Sequence, residues 1–239
     1  MDTTSYLALS SQVALQRHMA TIANNIANAT TTGYRAEHTL FEQVLERAGT
    51  GPRIAYVQDV ALVRDQRAGP IASTGNAFDL AIDGSGYLAF ATPEGPRYTR
   101  AGRLSVDATG QLVNAQGHPL LDVGGNPIVL TQDDHDISVA KDGSLSGRNG
   151  PIARIGIVGF ANELALERMG DGFYRSAEAP GPSDGELIQG ALEGSNVQPV
   201  LEMTSMLETV RAFEGAKRLL DTQHDLDRAT IERTVRVSS

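Results

Sequence analysis

Apolar residues recur at alternating steps of three and four near both ends of this chain, and neither run can bury its stripe alone. In the N-terminal run Leu15, Met19, Ile22, Ile26 and Ala29 fall on one narrow face of a helix. In the C-terminal run Met203, Met206, Val210, Phe213 and Leu220 do the same, interrupted by Lys217 and widened by Val200 and Leu207. Most helical stability in proteins comes from packing an amphipathic face, not from intrinsic propensity. The simplest burial for both stripes is against each other. That pairing brings the two runs together and makes everything between them an insert.

The N-terminal helix is predicted over residues 3–30. It runs into Thr30-Thr31-Thr32-Gly33; threonine loses rotamer freedom in a helix, and glycine accepts the left-handed conformation that ends one. Its polar face is unusual: from Met1 to Tyr34 the only formal charges are Asp2 and Arg17. A solvated helix normally carries Lys and Glu. An uncharged polar face can pack closely on other protein without desolvating charges. At the other end, Ser195-Asn196-Val197-Gln198-Pro199 combines capping residues with a proline tolerated in a first turn, and the helix that follows is predicted to reach about Thr230.

Between the helices the texture changes. Arg35 to Gly49 suits a short helix through Leu40, Val44 and Leu45, whereas Ile54 to Arg64 suits a strand better than a helix. From about Gly69 to Gly194 short apolar runs (Phe78–Ile82, Tyr87–Ala91, Gln111–Val113, Pro127–Leu130, Ile152–Phe160) alternate with glycine-containing turns. Strands this short at this spacing imply antiparallel pairing. One short helix is expected inside, at Asn162–Arg168, and no internal repeat is evident. The fold class is therefore α+β. N- and C-terminal helices pair as a coiled-coil-like helical domain (1–34 and 195–239), with a connecting segment (35–69) and an inserted antiparallel β domain (70–194) between them.

Composition narrows the function classes. A net charge of −9 lacks the basic footprint of nucleic-acid binding. With no cysteine, disulfides and thiolate metal sites are excluded. The first residues, MDTTSYLALSSQ, have no basic n-region or continuous apolar h-region, so no cleaved signal is expected, and nothing approaches the roughly 20 apolar residues of a membrane helix. The five histidines, His18, His38, His118, His135 and His224, show no ligand spacing. Asp133-Asp134-His135-Asp136 lacks the calcium-loop pattern and reads as a solvated turn. Ser138-Val139-Ala140-Lys141 matches the S-x-x-K pattern of some acyl enzymes without its companion motifs. Asn28-Ala29-Thr30 fits a glycosylation acceptor at a helix end, and Gly84-Ser85-Gly86 is too short for a phosphate loop. No catalytic, cofactor or metal site is expected.

Four blocks of sequence carry a family resemblance. Ala23-Asn24-Asn25-Ile26-Ala27-Asn28-Ala29-Thr30-Thr31-Thr32-Gly33-Tyr34-Arg35 resembles the N-terminal signature of flagellar rod and hook proteins. Thr74–Tyr87 resembles their T-G-N-P-L-D-[LV]-A-I-x-G-x-G-F block, with Ala77, Phe78 and Tyr87 as departures that keep apolarity. Tyr98–Leu104, continuing through Gly110–Val113 and Gly117–Leu121, resembles the Y-T-R block. Ser195-Asn196-Val197 with Glu202, Met203, Met206, Arg211, Phe213, Glu214, Lys217 and Asp221 resembles the C-terminal helix motif.

The resemblance implies a structural subunit of the basal-body rod. It would be exported without a cleaved signal into the periplasm, assembling with copies of itself and other rod proteins and handled by the flagellar export apparatus. The short length favours a proximal position over a distal-rod or hook-type one. The expected assembly surface comprises Leu15, Met19, Ile22, Asn24, Asn25, Ile26, Asn28, Gly33, Tyr34, Met203, Met206, Val210, Phe213 and Leu220. The competing classes are an enzyme or binding module on the β domain and an export cap or chaperone.

Overall fold

Helix α1 (Thr3–Ala27) and helix α2 (Pro199–Val237) bracket a β-rich middle, an α+β fold. The computed structural model describes residues 3–47, 53–131 and 133–237. The chain divides into two units: Met1–Ala27, Ala36–Asp65 and Gln198–Ser239 form one, and Asn28–Arg35 with Gln66–Val197 the other.

In the helical unit α1 packs against α2 and against both strands of a long antiparallel hairpin, β1 (Glu37–Arg47) and β2 (Arg53–Arg64). The short helix expected over Arg35–Gly49 is a strand instead; Gly49 itself lies outside the described residues. Helical spacing misled because Leu40, one of its supposed core positions, is 52% exposed. Strand pairing decides the conformation here, with His38 opposite Val63 and Val44 opposite Tyr56. A register shift at Leu40/Phe41 marks a bulge. Helix α1 stops at Ala27, three residues short of the expected end, and α2 runs seven residues past Thr230 to Val237.

The buried stripes follow those expected and add small and polar members. On α1 the most buried positions are Ala14, Ile22 and Asn25, with Leu15, Met19 and Ile26 half-buried beside them. On α2 the inward line is Glu202, Met206, Thr209, Phe213, Ala216, Leu220 and Gln223. Met203 is 54% exposed, and Lys217 is exposed rather than interrupting the stripe. The seam keeps Met206, Val210, Phe213 and Leu220 from the expected stripe, loses Met203, and gains Glu202, Thr209 and Ala216.

In the β-rich unit the central strands Tyr87–Thr92 and Gly95–Thr99 lie within a six-stranded antiparallel sheet. Strand alternation divides the core. Leu88 and Phe90 join the main cluster with Leu80, Ile82, Leu112, Leu120 and Ile155. Tyr87 and Ala89 join a second with Tyr98, Leu121, Leu166 and Tyr174. Edge-to-face aromatic pairs tie the central strands to flanking segments, among them Phe90–Phe173 at 5.8 Å and Tyr98–Phe160 at 4.8 Å. The expected helix at Asn162–Arg168 is only a 3-10 turn, Glu163–Ala165, capped by the Asn162 side chain and followed by strand Glu167–Arg168. Pro127–Leu130 forms isolated bridges rather than a strand.

A repeated turn does exist. Asp107, Asn114 and Asp122 each accept, through the backbone carbonyl, the N–H of a glycine three residues on: Gly110, Gly117 and Gly125. Each side-chain oxygen also accepts the N–H four residues on, from Gln111, His118 and Asn126. All three glycines have positive φ, 80–85°, the geometry of a hairpin loop with a left-handed glycine. Spaced only seven and eight residues apart, these turns fold the chain into rungs too short to leave a hydrophobic alternation.

Glycine has a second use at Gly102, whose carbonyl accepts from Leu80 N at 2.9 Å. A Cβ there would sit 1.8 Å from Leu80 O. Gly102→Ala is expected to lower stability by at least about 1–3 kcal/mol, the cost of leaving a buried backbone group unpaired. Gly215→Ala in α2, where nothing lies within 4 Å, is expected to raise it by about 1 kcal/mol. Urea unfolding of both variants checks this; a neutral Gly102→Ala would refute the close approach.

Candidate functional site

The sequence-predicted interface residues fall into both units. In the helical unit Ile22 and Asn25 are 2% and 1% exposed. Leu15, Met19, Ile26, Met206, Val210, Phe213 and Leu220 are half-buried, while Asn24 and Met203 face solvent. In the β-rich unit Asn28 is half-buried and Gly33 and Tyr34 are buried.

Asn25 has a structural task. Its side-chain Nδ2 donates to Glu37 O at 2.9 Å, and its Oδ1 accepts from Glu37 N at 3.0 Å. The amide thus imitates a neighbouring strand and pins the start of β1 to the end of α1. Nearby, His18 Nδ1 and Thr39 Oγ1 are 2.6 Å apart. Burial lowers the His18 imidazole below its usual 6.5, with Glu202 on α2 opposing and His38 on β1 adding to the shift.

In the β-rich unit the chain folds around a carboxylate. Glu193, fully buried at the end of strand Ala191–Glu193, meets Arg100 Nε at 2.6 Å and Arg35 Nη2 at 3.0 Å. Its Oε1 also accepts from Gly69 N at 3.1 Å, and its backbone carbonyl accepts from Gly33 N at 2.9 Å. Arg100 spends its remaining donors on the carbonyls of Gly86, Ile82 and Gly84. Arg35 Nη1 donates to Gln66 O, and its Nε is buried with no partner. Burial first, and Arg100 second, push the Arg35 guanidinium below its ordinary value, with Glu193 acting in the opposite sense.

Sequence reading singled out Gly33, whose φ is +68° and whose Cβ would lie 2.6 Å from Ala101 N. It missed Glu193, a lone acid before a glycine, and gave no role to Arg35 or Arg100. The signal was present only as blocks of sequence, because the partners lie far apart in the chain, Arg100 and Glu193 being separated by 93 residues. Tyr34 is held too: its hydroxyl accepts from Arg168 Nη1 at 3.2 Å, and the Arg168 guanidinium lies 4.5 Å from its ring centroid.

The chemistry-bearing candidates are placed in turns and strands. Asp134 accepts from Thr131 N and Oγ1 at 2.8 Å, and Asp136 pairs with Arg148 at 3.1 Å. Lys141 Nζ donates to Glu186 at 2.9 Å. Among the described residues no group of three or more His, Cys, Asp or Glu is arranged to hold a metal, and no helix is long and apolar enough to cross a membrane. An open groove of about 490 Å³ lies over Ala89, Tyr98, Leu121 and Val158, with Asp122 as its one charged lining residue.

Three known segments match the chain. Residues 6–35 match the family described as flagella basal body rod protein. Residues 81–147 match the flagellar hook protein FlgE/F/G D1 domain, and residues 188–233 the flagellar basal body rod FlgEFG protein C-terminal region. Over 246 aligned residues the chain is 36% identical to the flagellar basal-body rod protein FlgF of Caulobacter vibrioides, covering all of both proteins. The chain belongs to the flagellar basal-body rod protein family. It is also 38% identical to FlgF of Mesorhizobium japonicum, over 92% of each chain. To FlgG of Bacillus subtilis it is 31% identical, over 92% of this chain and 95% of that one. Each family segment supplies one member of the ionic knot: Arg35 lies in the first, Arg100 in the second and Glu193 in the third.

Glu193→Gln keeps volume and an acceptor for Gly69 but leaves two buried guanidiniums without a counter-charge. It is expected to cost about 3–5 kcal/mol, the range for breaking a buried pair, read as a shifted urea midpoint; an unchanged midpoint would contradict the knot. A second expectation concerns pH. His18 binds its proton less readily folded than unfolded, so its contribution is complete above the unfolded value of 6.5 and is lost as pH falls below it. Stability measured across that window should fall more steeply in the wild type than in His18→Gln. Parallel profiles would remove His18 from the account.

Proposed function

We propose that this chain is a structural subunit of the bacterial flagellar rod, polymerising with copies of itself and other rod proteins into the shaft that transmits motor torque. The end-to-end similarity to FlgF carries the reading, and with it a proximal position in the rod. On this reading the chain passes through the flagellar export apparatus without a cleaved signal and works in the periplasm, as scaffold rather than as enzyme. The terminal helical domain, 1–34 with 195–239, is its assembly core, joined through 35–69 to the β domain at 70–194.

The helical unit supports this physically. With 39 residues against 25, α2 outruns α1 by about 20 Å at about 1.5 Å per residue. Val200, Leu201, Met203 and Leu207 are 54–75% exposed along its first turns, as are Leu9 and Val13 on α1 at 55% and 43%. A coiled-coil-like pairing of the two helices with each other and with those of neighbouring subunits would cover these residues. Heterologous contacts of that kind build helical assemblies when they do not close into rings. In such packing Asn24 and the exposed Met203 meet neighbours, whereas Ile22 and Asn25 hold the subunit together.

Deleting residues 1–27 tests the proposal. The deletion stops before Asn28 because Gly33 and Arg35 bind Glu193. The β-rich unit should remain soluble and folded, while the protein disappears from purified basal bodies and the cells stop swimming. Normal swimming would sink the proposal. Imaging labelled basal bodies distinguishes the proximal position from a distal-rod or hook-type one.

A further inference from the structure

The hairpin Ser144–Gly147/Gly150–Arg154 turns through Arg148 and Asn149, with Gly147 opposite Gly150. Asn149 is exposed, and its Nδ2 donates to Asp133 O at 3.3 Å. Gly150 has φ +126°, and no heavy atom lies within 4 Å of where a Cβ would stand. Asn149 is the one asparagine of nine followed by glycine.

We propose that Asn149 is a site of spontaneous covalent modification, closing on the Gly150 nitrogen to a succinimide that water opens to aspartate or isoaspartate. The Gly150 amide nitrogen forms a bond to Asn149 Cγ, the Cγ–Nδ2 bond breaks, and the displaced proton leaves with Nδ2 as ammonia. Water then adds to either imide carbonyl, so the net change is one amide and one water converted to one carboxylic acid and one ammonia. No oxidant or enzyme is required. A following glycine offers no side chain to obstruct the five-membered ring and the conformational freedom to reach it.

Five of the other asparagines are blocked or engaged by their surroundings, and none of the eight precedes a glycine. Asn126 precedes Pro127, whose nitrogen has no hydrogen. Asn25 is buried with both amide atoms engaged. Asn114 is 8% exposed, and its Oδ1 accepts two backbone N–H groups. Asn162 caps the turn that follows it, and Asn76 bonds Asp79.

The product changes the turn. A carboxylate replaces the donor to Asp133 O and stands beside the Arg148–Asp136 pair. Isoaspartate also adds a methylene to the backbone of a two-residue loop whose strand carries Leu145, 1% exposed, into the main core. Older molecules are therefore expected to have a looser hairpin.

Folded full-length protein is incubated in mildly alkaline buffer and digested with trypsin, which releases Asn149–Arg154 as one peptide. The expected result is the mass gain of an amide-to-acid conversion on that peptide, split into two chromatographic species. It should accumulate an order of magnitude faster than on any other asparagine and be absent in Asn149→Gln. If the native protein leaves Asn149 intact while the urea-unfolded chain is modified there, the fold protects the site and the proposal is overturned. It is equally overturned if another asparagine reacts first.

Discussion

The β-rich unit depends on one buried carboxylate. Moving an ion out of water costs several kcal/mol even after relaxation, so Glu193 at 1% exposure is tolerable only if its surroundings are complete. They nearly are: two guanidiniums and one backbone N–H converge on the carboxylate, while its own main-chain carbonyl is taken by Gly33. The arrangement is demanding because the charges do not cancel; two cations face one anion. Arg100 handles the excess by donating to three carbonyls of the 82–86 turn. Arg35 has less help, which is consistent with its unpartnered Nε and lowered proton affinity. Buried ion pairs are poor sources of net stability but severe when half removed. Their value here is positional: the carboxylate can be satisfied only if residues 33–35, 69, 100 and 193 all arrive.

The helical unit follows a different rule. Its interior line mixes Ala14, Ile22, Asn25, Thr209 and Phe213, and large apolar side chains remain outside. Burial of this extent fixes register through Asn25 and the His18–Thr39 contact more than it supplies hydrophobic stabilisation. The exposed residues on α2 begin at Val200 and recur at Met203 and Leu207, the three-four spacing read from the sequence. The stripe that sequence periodicity detects on α2 is thus two overlapping faces. One is turned inward, and one is exposed.

That overlap explains what was legible and what was not. Both helices, the antiparallel middle and the strand at Tyr87–Ala91 could be read directly, because helical spacing marks the first two and short apolar runs between glycine turns mark the rest. Arg35–Gly49 could not: Leu40 and Val44 satisfy helical spacing and strand composition alike, and only pairing with β2 decides between them. On α2 the inward positions Thr209 and Ala216 were not read, because they carry no hydrophobic signal. The turn repeat at Asp107, Asn114 and Asp122 was missed because it lies in hydrogen bonds rather than in apolar residues. Of the site, Asn25, Gly33 and Tyr34 were named from sequence as contact residues, and their surroundings here are intramolecular. A residue set that resembles an assembly surface can be a folding surface first.

The knot explains why widely separated blocks read as one signature. A substitution at Arg35 cannot be repaired locally, since its partners come from the strand at Ala191–Glu193 and the loop at Gln66. A substitution at Arg100 frees three carbonyls as well as the carboxylate. Gly33 and Gly69 belong to the same constraint, because a Cβ on either would strike backbone within 2.6 Å of Arg100 or Gly194. The polar, glycine-ended sequence after α1 is therefore written by the charge at Glu193. The uncharged face of α1 answers to the separate requirement of packing. One chain carries two kinds of signature, one written by a buried charge and one by helix packing.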